Sequence, residues 1–281
     1  MIYECVINVS EGQNLDKIDQ IKQHTGKTLK NVHYDTDHNR SVFTLASSSL
    51  EDISSSARDL TDKALELIEI KNHDGVHPRL GVVDVVPFIS YNSENSQPTH
   101  ETISASIEYG HWINAAHNIP VFFYDYSSKK LLTLPFVRKN AFVNLEPSIS
   151  GLHHEKFGAT CVGSREPLIA INVNLDSDNL ALAKQFAKEL RESSGGEKGV
   201  RAIGLELNNQ HCVQVSMNII DSYHVNAGEI CLKIKSWSEQ LSIQAHVDLV
   251  GLVPQHQYNM WSEEFKSWSK LDNEVVVENF L

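Results

Sequence analysis

The sequence predicts an α/β (α+β) fold made of two ferredoxin-like βαββαβ sandwich halves with a cleft between them. Three observations lead there. Apolar residues switch between strand and helix spacing in the order strand, helix, strand, strand, helix, strand. The second half repeats that order without repeating the residues. The chain has 281 residues, 41% of them hydrophobic, enough to give two compact units a core each. The expected division is 1–164 and 165–281.

Ile2 to Val9 reads as a strand that ends in the turn Asn8-Val9-Ser10-Glu11-Gly12. Leu15, Ile18 and Ile21 then recur at helical spacing up to Gly26. Strands are expected at Thr28–Tyr34 and Ser41–Ala46, joined by the polar cluster Asp35-Thr36-Asp37-His38-Asn39-Arg40. Leu60, Ala64, Leu67 and Ile68 form the inward stripe of a long helix that begins among serines and ends near Lys71. A fourth strand runs from Val82 to Ile89, followed by a helix over Thr99–Ala116 and a strand over Val121–Tyr124. Tyr126 to Lys156, with Pro135 and Pro147, is expected to be an irregular flap. The second half gives a strand at Leu168–Leu175 and a helix capped by Asp176 and ending near Glu192. Strands at Val200–Leu207 and Cys212–Asn218 are joined through Asn208-Asn209. A helix from about Val225 to Gln240 and a strand over Ser242–Val253 complete the set.

Lys and Arg number 24 against 36 Asp and Glu, a net charge of −12, which argues against nonspecific nucleic-acid binding. An anionic ligand would need the few cations gathered locally. No apolar run approaches a membrane span. The start lacks the pattern of a signal peptide, and a cytoplasmic protein is expected. Cys5, Cys161, Cys212 and Cys231 are scattered, without paired ligand spacing, and are read as reduced core thiols.

The central candidate site is Asn72-His73-Asp74-Gly75-Val76-His77-Pro78-Arg79-Leu80-Gly81. Two imidazoles, a carboxylate and a guanidinium lie in a turn that Gly75, Pro78 and Gly81 keep from being helix. His77 is the leading candidate for general acid/base work, because a neutral imidazole titrates near working pH; a histidine that only hydrogen-bonds the turn is the alternative. His73 and His77 have the four-residue spacing of a helical zinc pair, but the glycine, the proline and the lack of a third ligand argue against a metal. Arg79 could clamp a carboxylate, but spacing alone favours a tie from the loop to Asp84 or to helix ends. Asp35, Asp37, Asn39 and Arg40 fit an ordinary surface turn or a binding edge. His153 to Thr160, with Lys156 and Gly158, reads as the joint between halves, and Lys156 and Arg165 as local positive charge. Gly195-Gly196 with Lys198 and Arg201 fits helix termination better than an anion site. There is no P-loop, no G-x-G-x-x-G and no G-x-S-x-G.

With these residues set out, the chain resembles the glutamate formiminotransferase family over nearly its full length. Glu4-Cys5-Val6-Ile7-Asn8-Val9-Ser10-Glu11-Gly12 resembles E-C-V-P-N-F-S-E-G, and Asp37-His38-Asn39-Arg40-Ser41-Val42 resembles D-H-N-R-[ST]-V. His77-Pro78-Arg79-Leu80-Gly81 with Asp84-Val85 and Pro87-Phe88 resembles H-P-R-L-G-x-x-D-V-x-P-F, the most specific run. Gly158-Ala159-Thr160, Gly163, Arg165, Asn172 to Leu175, Gln214 to Asn218 and Leu249 to Pro254 follow the later pattern.

The resemblance implies two formiminotransferase subdomains and transfer of a formimino group from N-formimino-L-glutamate to tetrahydrofolate, as in histidine breakdown and one-carbon metabolism. It implies His77 as the catalytic histidine, tetrahydrofolate as co-substrate bound between the subdomains, and a homodimer. A folate ring nitrogen would attack the formimino carbon and lose a proton while the glutamate amine gains one, and one imidazole can do both. Asp35, Asp37, Asn39, Arg40, Arg79, Lys156, Gly158 and Arg165 are the implied substrate-binding residues; no metal is needed. Ile7, Gln13 and Ser164 depart from the pattern. The segment Leu145-Glu146-Pro147-Ser148-Ile149-Ser150 is shorter than usual and lacks a Gly-Pro. The chain is also too short for a cyclodeaminase domain, so a single activity is expected. Formyl transfer between 5-formyltetrahydrofolate and glutamate, or a non-catalytic folate-binding paralogue, are the alternatives.

Overall fold

The structure is a computed structural model that describes residues 1–71, 73–91, 97–149 and 154–281. The chain divides into two compact units, Met1–Glu166 and Pro167–Phe280, with Leu281 grouped with the first.

The first unit carries the expected order: β1 (Ile2–Val9), α1 (Leu15–Thr25), β2 (Leu29–Asp35), β3 (Arg40–Ser47), α2 (Leu50–Leu67) and β4 (Val83–Tyr91). These strands lie β2-β3-β1-β4, all antiparallel, the arrangement of a split βαβ unit. α3 (His100–His117), β5 (Val121–Asp125), α4 (Leu134–Asn140) and β6 (Thr160–Ser164) extend it. β6 and β5 join in parallel beyond β4, making a sheet of six strands.

α2 forms because Ile53, Ala57, Leu60, Thr61, Ala64 and Leu65 fall on one face, and the Ser49 side chain caps its start by accepting from the Asp52 amide. Each large side chain buried there contributes about 1.5–3 kcal/mol. With Cys5, Ile7, Phe43, Leu45 and Tyr109 they make the core on one face of the sheet. The other face, at the β4–β6–β5 end, is covered by α4, which sets Val137 and Ala141 against Val85, Phe122, Tyr124 and Cys161.

Two expectations are corrected here. The stretch Tyr126–Lys156 is not uniformly irregular, because Thr133 caps and Pro135 opens α4. The run ending at Thr160 is not the joint between halves: Thr160 begins β6, inside the first sheet. All five β6 residues are buried, so no polar alternation marks the strand.

Gly158 sits where this run crosses the candidate loop. Leu80 O accepts from the Ala159 amide and Phe157 O from the Val82 amide, both at 2.9 Å. The φ of Gly158 is +73°, and a Cβ there would strike the Leu80 carbonyl oxygen. Gly158→Ala is therefore expected to lower unfolding stability by more than about 1 kcal/mol. A urea midpoint equal to that of the parent would contradict this.

The second unit repeats the order with β7 (Ile169–Leu175), α5 (Leu180–Leu190), β8 (Val200–Leu207), β9 (Cys212–Ile219), α6 (Ala227–Gln240) and β10 (Ala245–Val250). Its sheet runs β10-β7-β9-β8, wholly antiparallel. Asp176 does not cap α5; its amide still bonds Gln244 O across the sheet edge, and Asn179 supplies the cap. β10 is shorter than expected, and two helices follow it, α7 (Gln255–Met260) and α8 (Glu263–Ser269). They bury Trp261 and Phe265 in the core of this unit. Gly195 closes the 3-10 turn after α5 in the left-handed region, as helix termination requires. All four cysteines are free and buried.

Candidate active site

The His77 loop joins α2 to β4, and side chains and backbone from three other segments hold it. Asn72 lies outside the described residues. Asp35 Oδ1 accepts from the Asp37 and His38 amides at 2.8 and 2.7 Å, turning the chain at the end of β2. Asn39, in the left-handed region at φ 45°, accepts from the Gly12 amide at 2.9 Å and donates to Asp74 O at 2.8 Å. The Asp37 carbonyl receives the Val76 amide at 3.0 Å. Gly75 passes so close to Asn39 and His38 O that a Cβ would collide with them. The Asp35–Arg40 turn is thus the bed on which the loop lies.

Arg79 serves the same purpose. It donates to His38 O at 2.7 Å, Asn39 O at 3.0 Å and His77 O at 2.7 Å. It also donates to His73 Nδ1 at 2.5 Å. That nitrogen must hold a lone pair, so His73 is neutral. Burial, and then the nearby Arg79 charge, pull its pKa down to about 4.

His77 Nδ1 lies 2.8 Å from Pro78 O. A carbonyl only accepts, so Nδ1 carries the proton and Nε2 keeps the lone pair. The ring is half-buried and stacks on His38, centroids 5.6 Å apart. Burial, and then Arg40 and Arg138, hold its pKa well below that of an ordinary histidine. His77 is therefore a neutral imidazole able to take a proton at Nε2.

Beneath it lies a charge cluster centred on Asp84, which is fully buried. Asp84 Oδ1 accepts from the Leu80 amide at 2.7 Å, and Oδ2 accepts from Arg40 Nη1 at 2.7 Å and Arg138 Nη2 at 2.5 Å. Burial alone would raise the pKa of this carboxyl. Arg138, Arg40 and the Leu80 amide together outweigh it, and the group sits far below the usual carboxylate range. Arg40 also bonds Asn8 Oδ1 at 3.0 Å, and burial lowers its pKa to about 10. Two guanidinium groups against one carboxylate leave a local positive excess in an acidic chain.

The structure thus gathers Asp35, Asp37, Asn39, Arg40, His77 and Arg79. Gly158 contributes backbone packing against the loop. Lys156 pairs with Glu69 on the surface at 3.2 Å. Arg165 lies further along the sheet, where its amide bonds Phe88 O; Phe88 is four residues from Asp84, roughly 13 Å along the strand. Arg138 was not foreseen. Its one local signal was the Thr133-Leu134-Pro135 helix start. Among the described residues, no group of three or more His, Cys, Asp or Glu is placed to hold a metal ion. Among them, too, no helix is long and apolar enough to cross a membrane. Of the departures, Gln13 donates to Thr36 O, and Ser164 Oγ bonds Phe88 O and Thr102 Oγ1. The short segment before Phe157 lies partly outside the described residues, at 150–153.

Residues 2–166 match the formiminotransferase domain, N-terminal subdomain, and residues 170–277 match the formiminotransferase domain. The chain belongs to the formiminotransferase family. It is 38% identical over 236 residues to a glutamate formimidoyltransferase from Streptococcus pyogenes serotype M1, an overlap covering 78% of each chain. A glutamate formimidoyltransferase from Thermoplasma acidophilum is 29% identical over 78% of this chain and 76% of its own. The formimidoyltransferase-cyclodeaminase of Sus scrofa is 30% identical over 90% of this chain, which spans 50% of that relative. In this formiminotransferase fold, the D-H-N-R and H-P-R-L-G runs are the two loops that interlock around Arg79 and Asn39.

Proposed function

We propose that the chain transfers a formimino group from N-formimino-L-glutamate to tetrahydrofolate, giving 5-formiminotetrahydrofolate and L-glutamate, with His77 as general acid/base. The observation that carries this reading is the His77 Nδ1–Pro78 O bond, which leaves Nε2 as a base on a ring kept neutral. His77 takes the proton released as the folate amine adds to the formimino carbon, and returns it to the departing glutamate nitrogen. Each proton lost by one amine is gained by the other, so the reading needs neither a metal nor a covalent enzyme intermediate. Both substrates carry carboxylates, for which Arg40, Lys156 and Arg165 are the candidate cationic partners. Arg79, Asn39 and Asp35 hold the loop, and Asp37, Lys156, Gly158 and Arg165 stand as candidate substrate contacts. The working form is taken to be a cytoplasmic homodimer. The names of the relatives favour formimino over formyl transfer.

The test is a folate-product assay. Purified protein, tetrahydrofolate and N-formimino-L-glutamate should give the substituted folate, dependent on both substrates, and should give none with 5-formyltetrahydrofolate and glutamate. Folate binding without turnover from either donor would sink the proposal.

A further inference from the structure

Arg138 is the one charged side chain of α4 that reaches beneath the His77 loop, and it makes two bonds of different kinds. Its Nη2 meets Asp84, which anchors it to β4. Its Nη1 donates to Pro78 O at 2.6 Å, the same carbonyl that accepts from His77 Nδ1. The Pro78 oxygen thus has both lone-pair directions occupied, one by the catalytic candidate and one by a fixed cation. A carbonyl in an exposed loop is otherwise free to swing with its peptide plane. Here the swing would break a charge-assisted bond to a guanidinium that Asp84 holds from its other side.

We propose that Arg138 is the positioning residue for His77, holding the Pro78 carbonyl where it fixes the imidazole with Nδ1 protonated and Nε2 open to substrate. The role rests on the formimino-transfer reading for its kinetic consequence, but the geometry stands without it. α4 is well suited to the task, since Val137 and Ala141 anchor it in the apolar cluster with Val85 and Cys161. The guanidinium therefore approaches from a docked helix and not from the loop it restrains. The charged and titratable groups facing His77 are Arg40, Arg138, Asp84 and His38. Removing Arg138 takes away one cation that disfavours the imidazolium and leaves Arg40 beside the ring and Arg79 at the His77 carbonyl.

The experiment compares the full chain with its Arg138→Met and Arg138→Lys variants. Arg138→Met should lower kcat about 100-fold with KM within about threefold, the signature of lost alignment. The acid limb of kcat/KM should move to higher pH, because His77 protonates more readily once a nearby cation is gone. Two-bond 1H–15N correlations of the ring, assigned with His77→Ala, should show a single Nδ1–H tautomer in the parent and a mixture in Arg138→Met. Arg138→Lys should recover part of the lost kcat, since an ammonium keeps the charge and can donate to either acceptor. An unchanged tautomer in Arg138→Met, whatever the fall in rate, would reduce Arg138 to a structural tie and overturn the proposal. If Arg138→Met does not fold, Arg138→Gln is read by the same tautomer criterion. A parent protein without formimino transfer would remove the reaction and not the positioning role, because the ring is read without substrate.

Discussion

His77→Ala should lose about 10²–10⁴-fold in kcat while keeping its fold, the range expected when one positioned acid/base is removed. The retained fold follows from the surroundings. The His77 side chain makes one hydrogen bond, to the neighbouring Pro78 carbonyl, and the loop is held by the Arg79 and Asn39 bonds, in which that side chain takes no part. KM for N-formimino-L-glutamate should change little, since the proposed partners of its carboxylates are cations and not the imidazole. Steady-state kinetics beside a urea melt would check both halves. A variant with more than a tenth of the parent turnover would end the general acid/base role, and an unfolded variant would show that the ring is structural.

Asp84→Ala should be the most destabilising single change in the first unit. It takes the shared carboxylate from the Arg40 and Arg138 guanidinium groups and leaves the Leu80 amide without its acceptor. Breaking a buried pair by removing one partner costs about 3–5 kcal/mol. The pH dependence gives an internal control. The folded pKa of Asp84 lies below the ordinary aspartate value of 3.8, so its charge stabilises the fold at higher pH, and that contribution is lost as pH falls below about 4. The gap between parent and variant should therefore be largest near neutrality and narrow in acid. A gap under about 1 kcal/mol at pH 7 would refute the cluster as a structural anchor.

Much of this was legible in the residues. The β4 run and the Gly75, Pro78 and Gly81 breakers marked a strand preceded by a non-helical loop, because glycine and proline act locally. The Asp35–Arg40 turn was readable from its residue types. What could not be read was which donors meet which acceptors across the chain. Nearness in sequence suggests Asp84 as a partner for Arg79, whereas Arg40 and Arg138 are its partners and Arg79 meets carbonyls and the His73 ring. Arg138 was hidden because α4 has seven residues and buries Val137 alone among them, too little for an amphipathic period to register. β6 was missed for the opposite reason: a short strand flanked on both edges and buried throughout carries no alternation. Asp176 was expected to cap α5, but its amide pairs with Gln244 O at the sheet edge, and Asn179, three residues on, caps the helix instead.

The bonds that hold the His77 loop connect residues 27, 35, 44 and 54 positions apart. Such a site cannot assemble locally; its closure waits on strand pairing and on the arrival of α4, and loop entropy must be overcome before any of these contacts is rewarded. During synthesis, a nascent chain that has already displayed the whole H-P-R-L-G signature still lacks the guanidinium that fixes its carbonyl. The motif is therefore necessary to the site without containing it. A peptide or graft carrying only residues 73–84 would have the right side chains and none of their geometry.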